Sequence, residues 1–115
     1  MQTVENLVWS DDGQKIVYEI TIRESNHDTN PDGLYMYDIK SGKNITIQDN
    51  NIKQGLFSYN ARWSPDGRFV EYNVLLENDV AEIRLYSPQE NKWYRIDLPT
   101  KKNYMPESWF LFSIN

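Results

Sequence analysis

One short pattern occurs twice in this chain of 115 residues. Residues 8–13 are VWSDDG, and residues 62–67, which follow at a spacing of 54, are RWSPDG. A pattern that recurs at a fixed spacing indicates one supersecondary unit built twice, and this constrains the fold more than any single motif does. The sequence therefore predicts two copies of one structural unit.

The similarity extends beyond the shared pattern. At the same spacing, large apolar residues occupy alternate positions in both copies: Ile16 matches Val70, Tyr18 matches Tyr72, Ile20 matches Val74 and Ile22 matches Leu76. An apolar residue at every second position predicts a β-strand with one buried face. Further along the chain the spacing falls to 49, where Tyr37 matches Tyr86. The first copy therefore carries an insertion, and we place it in the polar residues 24–33, which we expect to form a loop.

Each copy is predicted to contain four strands. They span residues 6–10, 15–22, 34–38 and 44–48 in the first copy, and residues 61–64, 69–76, 81–86 and 93–98 in the second. Asp12-Gly13 and Asp66-Gly67 predict two-residue hairpins, because glycine tolerates the positive φ that a primed turn requires. Without any helical periodicity, the sequence predicts an all-β protein. Its two four-stranded antiparallel units lie at about residues 5–50 and 60–98, in one module over residues 1–115.

The end of the chain carries a further apolar segment. Trp109 follows Trp63 by 46 residues, which suggests a partial third copy, but Phe110-Leu111-Phe112 stands where the turn residues would be. Several large apolar groups in a solvated tail would promote aggregation. We therefore expect an extra strand at about residues 104–114, paired within this chain or onto a neighbouring one.

At these residues the chain resembles the WD40-like propeller repeats of the TolB type. Residues 62–67 match the Trp-Ser-Pro-Asp-Gly stretch of that family in full, and residues 8–13 match with Asp11 in place of the proline. Residues 35–43 match its hairpin between the third and fourth strands, and residues 85–88 match more loosely. The resemblance covers about residues 5–98 and implies propeller blades, with Trp9, Trp63 and Trp109 as structural wedges between them.

A propeller typically needs 4–8 blades to close around its channel. Two blades leave both outer faces bare, so something else must cover those faces. The resemblance implies three or four identical chains in a ring, further blades of a longer chain, or a compact dimer with blades face to face.

Composition excludes several classes of function. The chain has no cysteine, which rules out disulfides and thiol chemistry, and its net charge of −5 argues against nucleic-acid binding. No apolar run approaches the roughly 18–20 residues of a membrane helix, so we expect no membrane insertion. Because residues 1–5 lack the features of a signal peptide, we expect a cytoplasmic protein if the chain is full length, and an extracytoplasmic one if a leader was removed.

One segment has the oxygen-ligand spacing of a calcium loop. Asp28, Asn30 and Asp32 alternate and are followed by Gly33, but Ile39 stands where a bidentate glutamate is expected. The same residues are typical of a polar hairpin loop, and we favour that interpretation. His27, the only histidine, cannot form a usual zinc site alone. We expect no cofactor.

No catalytic constellation is evident. Asp11, Asp12 and Asp66 are explained by turn chemistry, and no Gly-x-Ser-x-Gly elbow occurs. Trp93 and Tyr94 lie on the predicted fourth strand of the second copy, the outer edge of a blade, and are candidates for partner contact.

The sequence thus favours a non-enzymatic module for protein–protein interaction or self-assembly. The resemblance implies that partners engage the segments 24–33, 49–60 and 99–107. Two alternatives stay open: the propeller part of a larger enzyme such as a prolyl-oligopeptidase-type peptidase, and a calcium- or glycan-binding module.

Overall fold

A computed structural model describes residues 2–23, 29–49, 57–76, 81–97 and 110–114. These residues form nine strands: β1 Gln2–Trp9, β2 Lys15–Arg23, β3 Thr29–Asp38, β4 Lys43–Asp49, β5 Phe57–Trp63, β6 Val70–Leu75, β7 Ala81–Ser87, β8 Lys92–Asp97 and β9 Phe110–Ile114. Among them, no helix is long and apolar enough to cross a membrane. The prediction of an all-β protein is confirmed.

The strands form two antiparallel sheets. The first sheet has the order β1-β2-β3-β4 and the second the order β5-β6-β7-β8-β9, so every strand neighbours the one before it in sequence. β9 pairs with β8 from Trp93↔Ile114 to Asp97↔Phe110. Residues 110–114 are therefore the fifth strand of the second sheet, on the chain's own β8, and do not form a separate third sheet.

The third strand begins earlier than the sequence predicts. We expected residues 24–33 to form a loop, but residues 29–33 belong to β3. Pro31 pairs with Thr21 next to a register irregularity, which is where a strand tolerates a proline. The loop prediction is therefore wrong for residues 29–33, and residues 24–28 lie outside the described residues.

The repeated Trp-Ser-x-Asp-Gly pattern forms the same turn in both sheets. The Ser10 amide donates to the carbonyl of Lys15 and the Gly13 amide to the carbonyl of Ser10; Ser64, Phe69 and Gly67 repeat these bonds, all at 2.8–2.9 Å. Gly13 and Gly67 have φ of 70° and 72°. The positive φ is as predicted, but the two-residue primed turn is wrong, because Asp12 keeps a negative φ and the loop between Ser10 and Lys15 holds four residues.

The aspartate and serine of the pattern tie this turn together. Asp12 Oδ1 accepts from the Ser10 hydroxyl at 2.7 Å and from the Gln14 amide at 2.9 Å, while Ser10 Oγ accepts from the Lys15 amide at 3.0 Å. The second copy has the same three bonds, from Ser64 and Arg68 to Asp66 and from Phe69 to Ser64, at 2.7–3.0 Å. The pattern is therefore conserved within the chain as turn chemistry.

The second hairpin of each sheet is also repeated, although its sequence is not. The Gly42 amide donates to the carbonyl of Asp38, and the Asn91 amide to the carbonyl of Ser87, both at 2.8 Å. Gly42 and Asn91 both have a positive φ, at 71° and 54°. Asparagine visits this left-handed region more readily than most residues, so it replaces the glycine without changing the turn.

A further repeated feature escaped the sequence comparison. Asn6 and Asn60, again 54 residues apart, have φ of 53° and 58° and lie at register irregularities in β1 and β5. The signal was present in the shared spacing and in the tolerance of asparagine for positive φ.

The core lies between the two sheets. The first sheet contributes Val17, Leu34, Met36 and Ile47, and the second contributes Val70, Tyr72, Val74 and Tyr86. Val70, Tyr72 and Val74 are completely buried, as predicted, but their counterparts Ile16, Tyr18 and Ile20 are only half-buried. In the first sheet it is the opposite side of β2, at Val17, that faces the core.

Two names describe this arrangement. The tryptophan face carries Trp9, Ile16, Tyr18 and Ile20 in the first sheet and Trp63, Val70, Tyr72 and Val74 in the second. The reverse face carries Val17, Leu34, Met36 and Ile47 in the first sheet and Glu71, Ile83, Leu85 and Ile96 in the second. The sheets stack in the same sense, with the tryptophan face of the second on the reverse face of the first.

Candidate interaction surface

Two tryptophans of the second sheet hold the sheets together. The indole N–H of Trp63 donates to the carbonyl of Val8 in β1 at 3.2 Å, and that of Trp93 donates to the carbonyl of Ile47 in β4 at 2.9 Å. Both side chains also pack against the core. Trp63 thus lies where a wedge between blades would lie.

The contact between the sheets includes buried polar groups. Arg84 donates to Gln48 of the first sheet at 3.1 Å and pairs with Glu82 at 2.6 Å. The Tyr72 hydroxyl is buried and has no hydrogen-bond partner among the described residues. Burial raises the pKa of Tyr72 well above its ordinary value, so this hydroxyl stays neutral.

The tryptophan face of the first sheet has no sheet upon it in the part of the chain that the structure describes. Trp9 is 54% exposed and Val4, which pairs with Ile20 on the same face, is 55% exposed. Tyr18 and Tyr35 stack there with ring centroids 5.7 Å apart. The result is an aromatic and aliphatic surface in contact with solvent.

The hydroxyl groups of this face are held in place. Tyr18 donates to Asn44 Oδ1 at 2.6 Å, and Tyr35 donates to Asp32 Oδ2 at 2.9 Å. Burial, assisted by the Asp32 carboxylate, raises the pKa of Tyr35 to about 12. The hydroxyl of Tyr35 is therefore neutral at neutral pH.

The reverse face of the second sheet is more polar. Arg62 pairs with Glu71 at 3.0 Å and donates to Asn73 Oδ1 at 3.0 Å. Beside them Tyr94 packs edge-on against Phe69, with centroids 6.3 Å apart, over a nearly buried Leu85. No sheet formed by the described residues lies upon this face, and this second open face combines one ion pair with apolar side chains.

A groove of about 460 Å³ lies where the turns of the two sheets meet. Its lining includes Asp12, Lys15, Asp38, Trp63 and Arg68. Both carboxylates are engaged: Asp38 Oδ1 accepts from the amides of residues 40 and 41 at 3.0 and 3.2 Å. The bond from the Ser10 hydroxyl, with that from the Gln14 amide, lowers the pKa of Asp12.

Both carboxylates accept hydrogen bonds from within their own turns. The groove also lies at the opposite end of the sheets from residues 29–33, 49 and 57–59, which are described parts of the segments expected to bind partners. Of those segments, residues 24–28, 50–56 and 99–107 lie outside the described residues.

Two of the three candidate calcium ligands lie in a strand rather than in a loop. Asp28 lies outside the described residues, as does His27, while Asn30 and Asp32 belong to the extended strand β3. Asp32 accepts the Tyr35 hydroxyl. Within the described part of the chain, no three His, Cys, Asp or Glu side chains come together as metal ligands would.

The two residues predicted to contact a partner face opposite ways. Trp93 contacts the chain's own first sheet and packs against Tyr86, with ring centroids 4.8 Å apart and the planes tilted by 43°. β9 removes β8 from the edge of the sheet. The prediction of an exposed edge position is thus wrong for Trp93. Tyr94 lies on the open reverse face, with its hydroxyl 3.3 Å from Glu90 Oε1. Trp109 lies outside the described residues.

The sequence predicts that two blades leave both outer faces bare, but it does not show which residues form those faces. It assigns Ile16, Tyr18 and Ile20 to a buried strand face and Trp9 to a wedge between blades, whereas Trp9 is 54% exposed. In a stack of two sheets each kind of face is covered only once, and the sequence does not show in which copy.

No family model matches the chain, and neither a curated protein nor a solved structure matches it significantly. The resemblance to TolB-type repeats therefore depends on the motif residues.

Proposed function

We propose that this chain is a non-enzymatic pair of TolB-like propeller blades that acts through protein–protein interaction. The interaction surface is the tryptophan face of the first sheet. One observation carries the proposal: Trp63 is packed between the sheets, whereas its counterpart Trp9 is 54% exposed on a face rich in aromatic groups. Exposed apolar patches of this kind mark sites of interaction in soluble proteins.

The stacking of the sheets supports the propeller part of the proposal. The first sheet is a run of four consecutive antiparallel strands and the second a run of five, and the sheets stack in the same sense. Face-to-face stacking in one sense is what a radial array of repeated sheets requires, since every sheet must then cover the next one in the same way.

The chemistry of the groove and of the two repeated turns supports a non-enzymatic role. Asp12, Asp38 and Asp66 each accept hydrogen bonds from their own turn. A general acid or base needs a carboxyl group within reach of substrate and with a pKa near the working pH, whereas the pKa values of Asp12 and Asp66 are lowered.

Site-specific photo-crosslinking in the source cells tests the proposal. A photoreactive phenylalanine analogue replaces Trp9 in the full chain, and in a matched control it replaces Ile39, which is 43% exposed in the β3–β4 turn. We expect covalent protein adducts from position 9 and few from position 39, read as mass shifts on a denaturing gel. Equal or absent adducts at position 9 would contradict the proposed function.

A further inference from the structure

We infer that the tryptophan face of the first sheet is covered by a second copy of this chain, which seats the reverse face of its second sheet upon it. This inference rests on the proposed function and names its partner. Association is then head to tail: each copy offers one tryptophan face and one reverse face.

The chain itself contains the template for this contact. Within one molecule, the tryptophan face of the second sheet already packs on the reverse face of the first. Because the sheets are copies of one unit, the two open faces are the counterparts of the two covered ones. A second copy completes the same stacking with the same geometry.

The hydrogen bonds between the sheets can be carried over position by position. Trp63 donates to the carbonyl of Val8. In the contact between copies, the equivalent hydrogen bond runs from the indole of Trp9 to the carbonyl of Arg62 in the next copy. Arg62 occupies in β5 the place of Val8 in β1, since both follow the irregularity at Asn60 and Asn6.

The second bond also has a counterpart. Trp93 donates to the carbonyl of Ile47. At the spacing of 49, Asn44 takes the place of Trp93 and Ile96 that of Ile47. An asparagine amide is a hydrogen-bond donor, as the indole is, and the Oδ1 of Asn44 is already fixed by Tyr18.

The covered and the open faces differ in how their polar groups are paired. Tyr72 and Val17 both belong to the core, and the hydroxyl of Tyr72 has no partner among the described residues. At the counterpart positions on the open faces, Tyr18 donates its hydroxyl proton to Asn44, and Glu71 pairs with Arg62. These groups can be covered without leaving an unpaired donor or acceptor.

The charged groups on the reverse face of the second sheet limit the strength of the contact between copies. Glu71 and Arg62 are partly solvated as an ion pair, with 26% and 43% of their side chains exposed. Covering them costs desolvation, so the contact between copies is weaker than the contact within the chain. Association should therefore depend on concentration.

Head-to-tail contacts either close into a ring or continue as a filament. Each added copy contributes two sheets of this kind. Three or four copies give a ring within the usual range of about 4–8 blades.

Engineered cysteines test the pairing of the faces, because the chain has no cysteine of its own. Asn44→Cys and Ile96→Cys are prepared separately and treated with a short flexible bis-maleimide, alone and as an equimolar mixture. Ile39→Cys replaces either member as the control. We expect crosslinked dimers at least tenfold more abundant in the matched mixture than in single variants or control mixtures.

Light scattering on a sizing column gives an independent measurement. We expect a mass of three or four times 13.7 kDa at high concentration. Trp9→Arg should weaken association at least tenfold, while Ile39→Arg leaves it unchanged.

The other outcomes overturn the inference in distinguishable ways. Crosslinking of Asn44→Cys to itself would mean a symmetric dimer of two tryptophan faces. A monomer at every concentration, with adducts at position 9 to another protein, would overturn the self-association and leave the proposed function standing. A monomer without adducts at position 9 would overturn both.

Discussion

The two sheets share their turns but differ in what covers them. Both have the same three side-chain hydrogen bonds in the Trp-Ser-x-Asp-Gly turn and the same left-handed asparagine in the first strand. Yet Trp63 is packed against the core and Trp9 is 54% exposed. Local geometry follows from local sequence, whereas burial follows from the position of the sheet in the stack.

The two sheets also place the same residue, tyrosine, in two different surroundings. Tyr72 is completely buried with an unpaired hydroxyl among the described residues, and its counterpart Tyr18 is half-buried with a hydroxyl that donates to Asn44. The same substitution at matched positions therefore measures how the covering of a sheet changes the contribution of one side chain to stability.

The largest difference is expected at the tryptophans. Trp63→Ala removes a packed side chain and the hydrogen bond to Val8, and we expect a loss of about 3 kcal/mol in the free energy of unfolding. Trp9→Ala removes a side chain that is mostly in solvent, so its cost should stay below about 1 kcal/mol. Urea denaturation followed by circular dichroism measures both under conditions where the chain is monomeric. Equal losses would show that the two faces are not differently covered.

A smaller difference of opposite sign is expected at the tyrosines. Tyr72→Phe removes a buried hydroxyl that lacks a partner among the described residues, and we expect a gain of up to about 1 kcal/mol. Tyr18→Phe removes a hydrogen bond that is open to water, and we expect a loss of about 0.5 kcal/mol. The same denaturation measurement applies. If Tyr72→Phe is destabilising, its hydroxyl has a partner that lies outside the described residues.

The smallest effect is expected from the turn aspartates, whose contribution to the pH dependence of stability should be equal in both sheets. The Ser10 and Ser64 hydroxyls, helped by the amides of Gln14 and Arg68, hold the pKa values of Asp12 and Asp66 below the ordinary 3.8. A lowered pKa in the folded state means that this contribution to stability is complete above the ordinary pKa. It is then lost as the pH falls through the folded-state value.

We therefore expect Asp12→Asn and Asp66→Asn to reduce the acid-induced loss of stability equally. Denaturation at a series of pH values between about 5 and 2 measures this slope. A change in only one variant would mean that the two turns are not equivalent in solution.

Much of the fold was predictable from local patterns. The four strands of each unit and the role of Asp12 and Asp66 as turn residues followed from spacing and turn propensity. The start of β3 was not predictable, because Thr29–Asp38 begins with polar residues and a proline that only the pairing with β2 draws into a strand.

The candidate surface was less predictable. Alternation in residues 16–22 indicated one apolar face and could not say whether anything covers it. Trp93 was assigned to an outer edge, because the sequence could not show that β9 pairs beyond β8.

By itself, the sequence determined the two copies, their all-β character and the location of their turns. These depend on short-range steric preferences and on hydrogen bonds between residues close in the chain, which both copies share. Only the tertiary structure decided which face of each sheet is buried. That outcome depends on the direction of stacking, which is set by contacts between residues far apart, such as Trp63 with Val8 and Trp93 with Ile47.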